Sequence, residues 1–129
     1  MTGDLPDLIA KRAELSAGKL ALEEVASGRR RTYTELNDRS ARAASLMRRR
    51  GVRAGDRVAI LCRNRIEFFE LLFGCAKLGA ILVPLNWRMP PAELDGLLAD
   101  AEPVLLFHDE AFAAAIDRLR RPPPSLDLD

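Results

Sequence analysis

The sequence lacks the features that mark secreted, membrane-spanning and metal-binding chains. Its 129 residues contain two cysteines and one histidine, too few for a disulfide framework or a cluster of imidazole and thiolate metal ligands. It has no run of 18 apolar residues, and its acid-containing N-terminus has no apolar segment typical of a signal peptide. These absences favour a cytoplasmic protein without a membrane span, in which Cys62 and Cys75 are buried free thiols.

Neither sign of charge dominates the chain. Lys and Arg number 20 against 19 Asp and Glu, which excludes a uniformly basic nucleic-acid binder. The distribution is uneven, however, because twelve arginines and three acids lie between Arg29 and Arg65, whereas nine acids and three arginines lie from Glu93 onward. The basic segment is either an anion-binding surface or a solvated face that pairs with the acidic part or with other protein. The lack of interleaved aromatic residues favours the solvated face, so nucleic acid is not an expected partner.

Hydrophobic residues make up 48% of the chain and charged residues 30%, a balance typical of one globular domain. The first part is predicted to contain a short helix over 6–15 and a β-hairpin whose strands cover 20–25 and 30–33. Thr32 and Glu35 have the spacing of a capping box. The helix that they begin is predicted to run to about Arg50 and to end at Gly51.

Three continuous apolar runs then alternate with helical segments. The runs, over 58–62, 80–83 and 104–107, are predicted to be parallel strands buried on both faces. Asn64 is the expected N-cap of the helix over 66–78. A further helix is expected to start at Pro90-Pro91 and to end just before Pro103, and a last one to cover 110–121. The predicted fold class is therefore α/β, a hairpin followed by a parallel sheet with helices on both faces. Residues 1–121 form this unit, and the three prolines at 122–124 leave 122–129 as a frayed tail.

The sequence shows little catalytic chemistry of its own. It has no Gly-x-x-x-x-Gly-Lys-Ser/Thr loop and no Gly-x-Gly-x-x-Gly, so neither type of phosphate loop is predicted. His108 has no nucleophile motif to serve and is interpreted as a loop histidine, and Cys62 as an inert buried thiol. Glu67 and Glu70 lie three residues apart on one predicted helix face, but helix capping at Asn64 and exposure to solvent explain these acids more simply than a catalytic role. We predict no catalytic residue and no metal ligand.

A series of short motifs nevertheless follows in a specific order from about residue 5 to about residue 118. Each is weak alone, and their shared order and spacing carry the assignment. The motifs are Thr32-Tyr-Thr-Glu-Leu36, Gly55-Asp-Arg-Val58, Asn64 with Glu67-Phe68, Ala76-Lys-Leu-Gly-Ala80, Val83-Pro-Leu-Asn86 with Arg88, Glu93-Leu94, Asp100-Ala-Glu-Pro103 and Leu106-Phe107. The sequence resembles the N-terminal part of the AMP-forming adenylating enzymes, specifically the acyl-CoA synthetases, or fatty-acid–CoA ligases.

The resemblance implies a parent enzyme that uses ATP and Mg²⁺ to form an acyl-adenylate from a carboxylic acid, and then transfers the acyl group to coenzyme A (CoA). The phosphate loop, the nucleotide and Mg²⁺ motif, the hinge aspartate and the catalytic lysine of that family are absent from this sequence. The chain alone is therefore expected to be inactive, a partial subdomain whose partner is the rest of the adenylating domain. The alternative is an interaction module without catalysis, such as a homodimer formed through an open sheet edge.

The resemblance also implies one ligand site. The segment from Asn86 to Arg88 matches a family loop beside the nucleotide of CoA. Arg88 would contact a phosphate there, although it could instead cap the turn or pair with Glu93. Trp87 would either cover the adenine or pack against neighbouring prolines, and Asn86 would fix the loop.

Overall fold

The computed structural model describes residues 7–129 and contains two sheets with five α-helices. The predicted helix start at Pro6 lies outside the described residues. In chain order the elements are α1 (Leu8–Ser16), β1 (Leu20–Glu23), β2 (Arg30–Thr32), α2 (Tyr33–Arg49), β3 (Arg57–Leu61), α3 (Ile66–Leu78), β4 (Ile81–Pro84), α4 (Pro91–Ala101), β5 (Leu105–His108), a 3₁₀ turn (Glu110–Phe112), α5 (Ala113–Asp117) and β6 (Ser125–Asp127).

The first part of the chain is the predicted hairpin and capped helix. β1 and β2 pair antiparallel, and Thr32 begins α2 with a capping box. The Thr32 hydroxyl accepts a hydrogen bond from the Glu35 amide (3.2 Å), and the Glu35 carboxylate accepts one from the Thr32 amide (2.8 Å). α2 ends two residues before Gly51, whose φ of 88° lies in the left-handed region that favours glycine.

The second part is a parallel four-stranded sheet in the order β4-β3-β5-β6. β3 lies at the centre because its residues 58–61 are apolar on both faces. Val58 and Ile60 face one buried cluster with α2 and α3, while Ala59 and Leu61 face a second cluster with α4 and α5. Helices thus cover both faces, which confirms the predicted fold class. No helix among residues 7–129 has the length and apolar character needed to cross a membrane.

Four local predictions are wrong. The apolar run over 80–83 is not buried on both faces, because β4 is an edge strand and its Ile81 is 50% exposed. The frayed tail is instead β6, an edge strand parallel to β5, and its Leu126 packs against the core. The last helix is a 3₁₀ turn followed by the five-residue α5 rather than one helix over 110–121. The N-cap of α3 is Arg65, with no side-chain cap from Asn64.

Candidate functional site

The loop after β4 carries the three residues predicted to contact a nucleotide. The Leu85 amide donates to the carbonyl of Ile60 (2.9 Å), which ties the loop to the end of β3. The Asn86 side-chain oxygen then accepts from the Arg88 amide (3.0 Å), and this bond closes a tight turn. The turn holds Trp87 and Arg88 side by side at the protein surface.

Two residues that sequence reasoning did not predict complete this surface. The Arg63 guanidinium carbon lies 5.2 Å from the centre of the Trp87 ring and 5.8 Å from that of Phe112. The Arg88 guanidinium carbon lies 4.8 Å from the Trp87 ring centre, and the two aromatic rings are 6.1 Å apart. These distances are within the range of cation–π contacts. We call Arg63, Trp87, Arg88 and Phe112 the arginine–aromatic cluster.

The sheet topology explains why these four residues meet. Arg63 follows β3, Trp87 and Arg88 follow β4, and Phe112 follows β5. Since β4 and β5 flank β3 in a parallel sheet, the loops after all three strands emerge at one edge. The chain reverses its direction of strand addition at β3, and such a switch point is where open α/β sheets form their ligand crevices.

An ion-pair network fastens the hairpin to the start of α3. Arg29 donates to both carboxylate oxygens of Glu67 (2.8 Å each) and to Glu24 (2.7 Å). Glu24 also accepts from the Ile66 amide (2.9 Å), so this distant residue caps α3 in place of Asn64. The hydrogen bonds from Arg29, Ser27 and Ile66 lower the pKa of Glu24 to about 2.

The same network reaches the carboxyl edge of the sheet through Arg65. Its guanidinium pairs with Glu67 (2.9 Å), Asp109 and Asp129 (3.1 Å). Burial would raise the pKa of Glu67, but hydrogen bonds from Arg29 and Arg65 outweigh burial and hold that pKa well below its ordinary value. The second oxygen of Asp109 accepts from the Arg63 amide (2.8 Å). Asp109 thus fixes the loop that carries Arg63.

Glu67 and Glu70 are structural acids rather than solvated ones, which corrects the sequence interpretation. The Glu70 side chain is 7% exposed and pairs with Arg39 on α2 and with Arg31, 3.6 Å away. It therefore joins β2, α2 and α3. The sequence does not reveal this role of Glu70, because its two arginine partners lie in other elements, β2 and α2.

The thiols and the histidine offer no nucleophile at this edge. Burial raises the pKa of Cys62 and of Cys75 to about 12, which keeps both thiols protonated at neutral pH. His108 is the last residue of β5 rather than a loop residue, and its ring lies buried with Nδ1 2.8 Å from the Asp109 carbonyl oxygen. Within residues 7–129, no group of three or more His, Cys, Asp or Glu side chains is placed to hold a metal ion.

The sequence profile of the family described as AMP-binding enzyme matches residues 9–127. The chain belongs to the AMP-binding enzyme family. A fatty acid–[acyl-carrier-protein] ligase of Streptomyces coeruleorubidus is 39% identical over 97 residues, which cover 75% of this chain and 19% of that protein. A feruloyl-CoA synthase of an Amycolatopsis species is 42% identical over 109 residues, which cover 84% of this chain and 22% of that protein. The chain therefore spans about a fifth of the length of these curated relatives.

Solved structures agree with this family assignment. The N-terminal domain of FACL13 from Mycobacterium tuberculosis superposes with a TM-score of 0.89 at 31% identity, covering 95% of this chain and 33% of that one. The O-succinylbenzoate CoA synthetase of Bacillus subtilis, solved in complex with AMP, gives a TM-score of 0.84 at 28% identity, covering 95% and 31%. This chain thus has the architecture of part of the N-terminal domain of an adenylating enzyme, which confirms the resemblance and the fold class predicted from sequence.

Proposed function

We propose that this chain supplies the first sheet layer of an ATP-dependent acid–CoA ligase, which forms an acyl-adenylate from a carboxylic acid and then a thioester with CoA. The observation that carries the proposal is the family match over residues 9–127, together with relatives named for joining acids to CoA or to a carrier protein. ATP and Mg²⁺ serve the complete enzyme, and we assign none of their contacts to residues 7–129.

Residues 1–129 alone are proposed to be inactive and to require the rest of the adenylating domain as partner. Exposed apolar side chains support this proposal, since Val25 is 93% exposed and Phe69 39%. Both line a largely apolar groove of about 450 Å³ between the hairpin and the start of α3. Exposed apolar surface of this kind is typical of a face that another part of a protein covers.

The loop from Asn86 to Arg88 is proposed to contact the nucleotide of CoA. Arg88 is exposed and makes no ion pair with Glu93 or with another acid of residues 7–129, so its guanidinium is available to a phosphate. Asn86 is proposed to act indirectly by holding the turn. Trp87 is proposed to form the apolar wall beside the adenine.

ATP–pyrophosphate exchange with a panel of carboxylic acids tests the ligase proposal. The chain alone is expected to show no exchange, and turnover by the chain alone would contradict the proposal. A chimaera in which this chain replaces the matched region of the Mycobacterium tuberculosis long-chain-fatty-acid–CoA ligase, 34% identical over 113 residues, is expected to retain exchange. The same ligase without that region is the control, and a chimaera no more active than this control would count against the assigned role.

A further inference from the structure

We propose that Arg63 and Arg88 together form a phosphate clamp built on the Trp87 ring, so that the nucleotide site includes Arg63 as a second anion-binding group. This inference rests on the proposed contact between the β4 loop and CoA. It adds a ligand-binding residue from a different loop, that after β3, and names phosphate oxygens as the atoms that it binds.

The first support is that both guanidinium groups contact the same Trp87 ring and neither has a counter-ion among residues 7–129. Both guanidinium carbons are within about 5 Å of one ring centre, so they are at most about 10 Å apart. Neither side chain forms an ion pair or donates a hydrogen bond within residues 7–129. Two like charges in this arrangement repel each other, and an anion bound between them removes that repulsion.

The second support is a contrast with Arg65, two residues along the chain. Arg65 is paired with three carboxylates and is largely buried. Asp109 does not neutralise the Arg63 guanidinium. One of its carboxylate oxygens accepts a hydrogen bond from the Arg65 guanidinium, and the other accepts one from the Arg63 amide. The structure thus fixes the backbone of Arg63 while its guanidinium remains exposed and uncompensated.

The third support is that the clamp is organised before a ligand arrives. Arg63 lies over both Trp87 and Phe112, and Arg88 lies over Trp87. These contacts restrict two flexible side chains, which lowers the entropy lost when they bind a phosphate. A guanidinium also matches phosphate oxygens in geometry, because it donates two parallel hydrogen bonds.

Four acidic residues line the depression beside Arg63, and three of them, Glu24, Asp109 and Asp129, are paired with Arg29 or Arg65. The fourth, Glu110, opposes the clamp. Glu110 lines the same open polar depression as Arg63, and its carboxylate forms no ion pair within the described part of the chain. Its negative charge weakens anion binding there. Replacing it with a neutral residue of the same shape therefore tests the sign of the electrostatic effect.

Fluorescence of Trp87 reports directly on this site, because Trp87 is the single tryptophan. We would titrate the 129-residue protein with CoA and with inorganic pyrophosphate, and confirm each affinity by calorimetry. Arg63→Gln and Arg88→Gln are each expected to weaken CoA binding about tenfold or more, the loss of one hydrogen bond to a charged group. Glu110→Gln is expected to tighten it, while Arg42→Gln, an exposed arginine on α2, should bind as the unmodified protein. Thermal melting of every variant confirms that it is folded.

The outcomes separate the clamp from the CoA assignment. Loss of binding in Arg88→Gln with normal binding in Arg63→Gln would overturn the clamp and leave the CoA contact intact. Equal losses in both variants for pyrophosphate, with CoA binding no tighter than pyrophosphate, would support the clamp and contradict CoA as its ligand. A protein that binds neither compound at millimolar concentration would refute both.

Discussion

The close packing of α2 against α3 depends on Gly74, and substitution of this glycine tests that packing. Gly74 on α3 faces α2 so closely that an added Cβ would lie 3.0 Å from the Ser40 carbonyl oxygen, 3.1 Å from the Ala43 Cβ and 3.2 Å from the Met47 Cε. The oxygen belongs to the helix backbone and cannot rotate away. Gly74→Ala must therefore push α2 and α3 apart, and this separation disturbs the main core around Met47.

The expected magnitude is a balance of two terms. Overpacking a close-packed core costs about 1–3 kcal/mol, whereas replacing a mid-helix glycine with alanine gains about 1 kcal/mol of helix propensity. The two terms leave a net loss of up to about 2 kcal/mol in the free energy of unfolding of Gly74→Ala, and we expect the upper part of this range because one of the three contacted atoms belongs to the backbone. Gly96→Ala is the matched control, because Gly96 is in the middle of α4 and a Cβ there would meet nothing within 4 Å.

Urea denaturation followed by circular dichroism measures both variants. Gly96→Ala should raise the free energy of unfolding by about 1 kcal/mol, while Gly74→Ala lowers it, so that the same substitution has opposite signs in two helices. For a domain of this size the melting temperature should move by about 4 °C per kcal/mol. A Gly74→Ala protein as stable as the Gly96→Ala protein would refute the close approach of α2 and α3.

Two further predictions concern the ion-pair network and the last strand. Glu67→Gln should lower the free energy of unfolding by about 2–3 kcal/mol at pH 7. The folded-state pKa of Glu67 lies below its unfolded value, so its contribution to the free energy of unfolding is complete above about pH 5 and is lost on acidification. If the free energy of unfolding changed equally with pH in the variant and the parent between pH 7 and 3, this prediction would be contradicted. In hydrogen exchange, the Leu128 amide should be protected because it donates to the His108 carbonyl (2.8 Å). Exchange of that amide at the rate of an unstructured peptide would instead indicate a frayed tail.

The sequence predicts the sheet well because its signals there are local. Continuous apolar runs are typical of parallel strands buried on both faces, and β3 and β5 are such strands, whereas the edge strand β4 is partly exposed. Thr32 and Glu35 contact each other across three residues. The errors arise where a partner is distant in sequence. The start of α3 receives its cap from Glu24, 42 residues away from Ile66, so no pattern near Asn64 reveals it.

The last strand was missed for a different reason. Three consecutive prolines cannot continue a helix, but they do not prevent a strand from following them. Proline lacks an amide hydrogen but keeps its carbonyl, and the Pro124 carbonyl accepts from the Leu106 amide (2.8 Å). An edge strand needs partners on one side only, so β6 forms directly after the prolines. The alternation of Leu126 and Leu128 with aspartates is the signal that would have predicted it.

The candidate site was predicted in part, from the family resemblance rather than from the residues alone. The loop of Asn86, Trp87 and Arg88 lies at the sheet edge, but its role in binding CoA stays a prediction. Arg63 and Phe112 were missed because they reach Trp87 from two other loops, and loops that follow neighbouring parallel strands are far apart in sequence. Strand order, which the sequence does not specify locally, decides which loops meet.

The arginine-rich segment contains two kinds of arginine, paired and unpaired, that composition cannot separate. The net charge near +1 shows that positive and negative charges are nearly equal in number, but not every arginine has an acid beside it. Arg29 and Arg65 contact carboxylates and join the hairpin, α3 and the sheet edge. Arg63, two residues from Arg65, has no such partner. The paired arginines connect the elements of the fold, and the carboxylates that bind them are no longer available to neutralise the exposed arginines. The proposed anion site therefore depends on an unpaired guanidinium, that of Arg63, beside an ion-pair network whose acids are already paired.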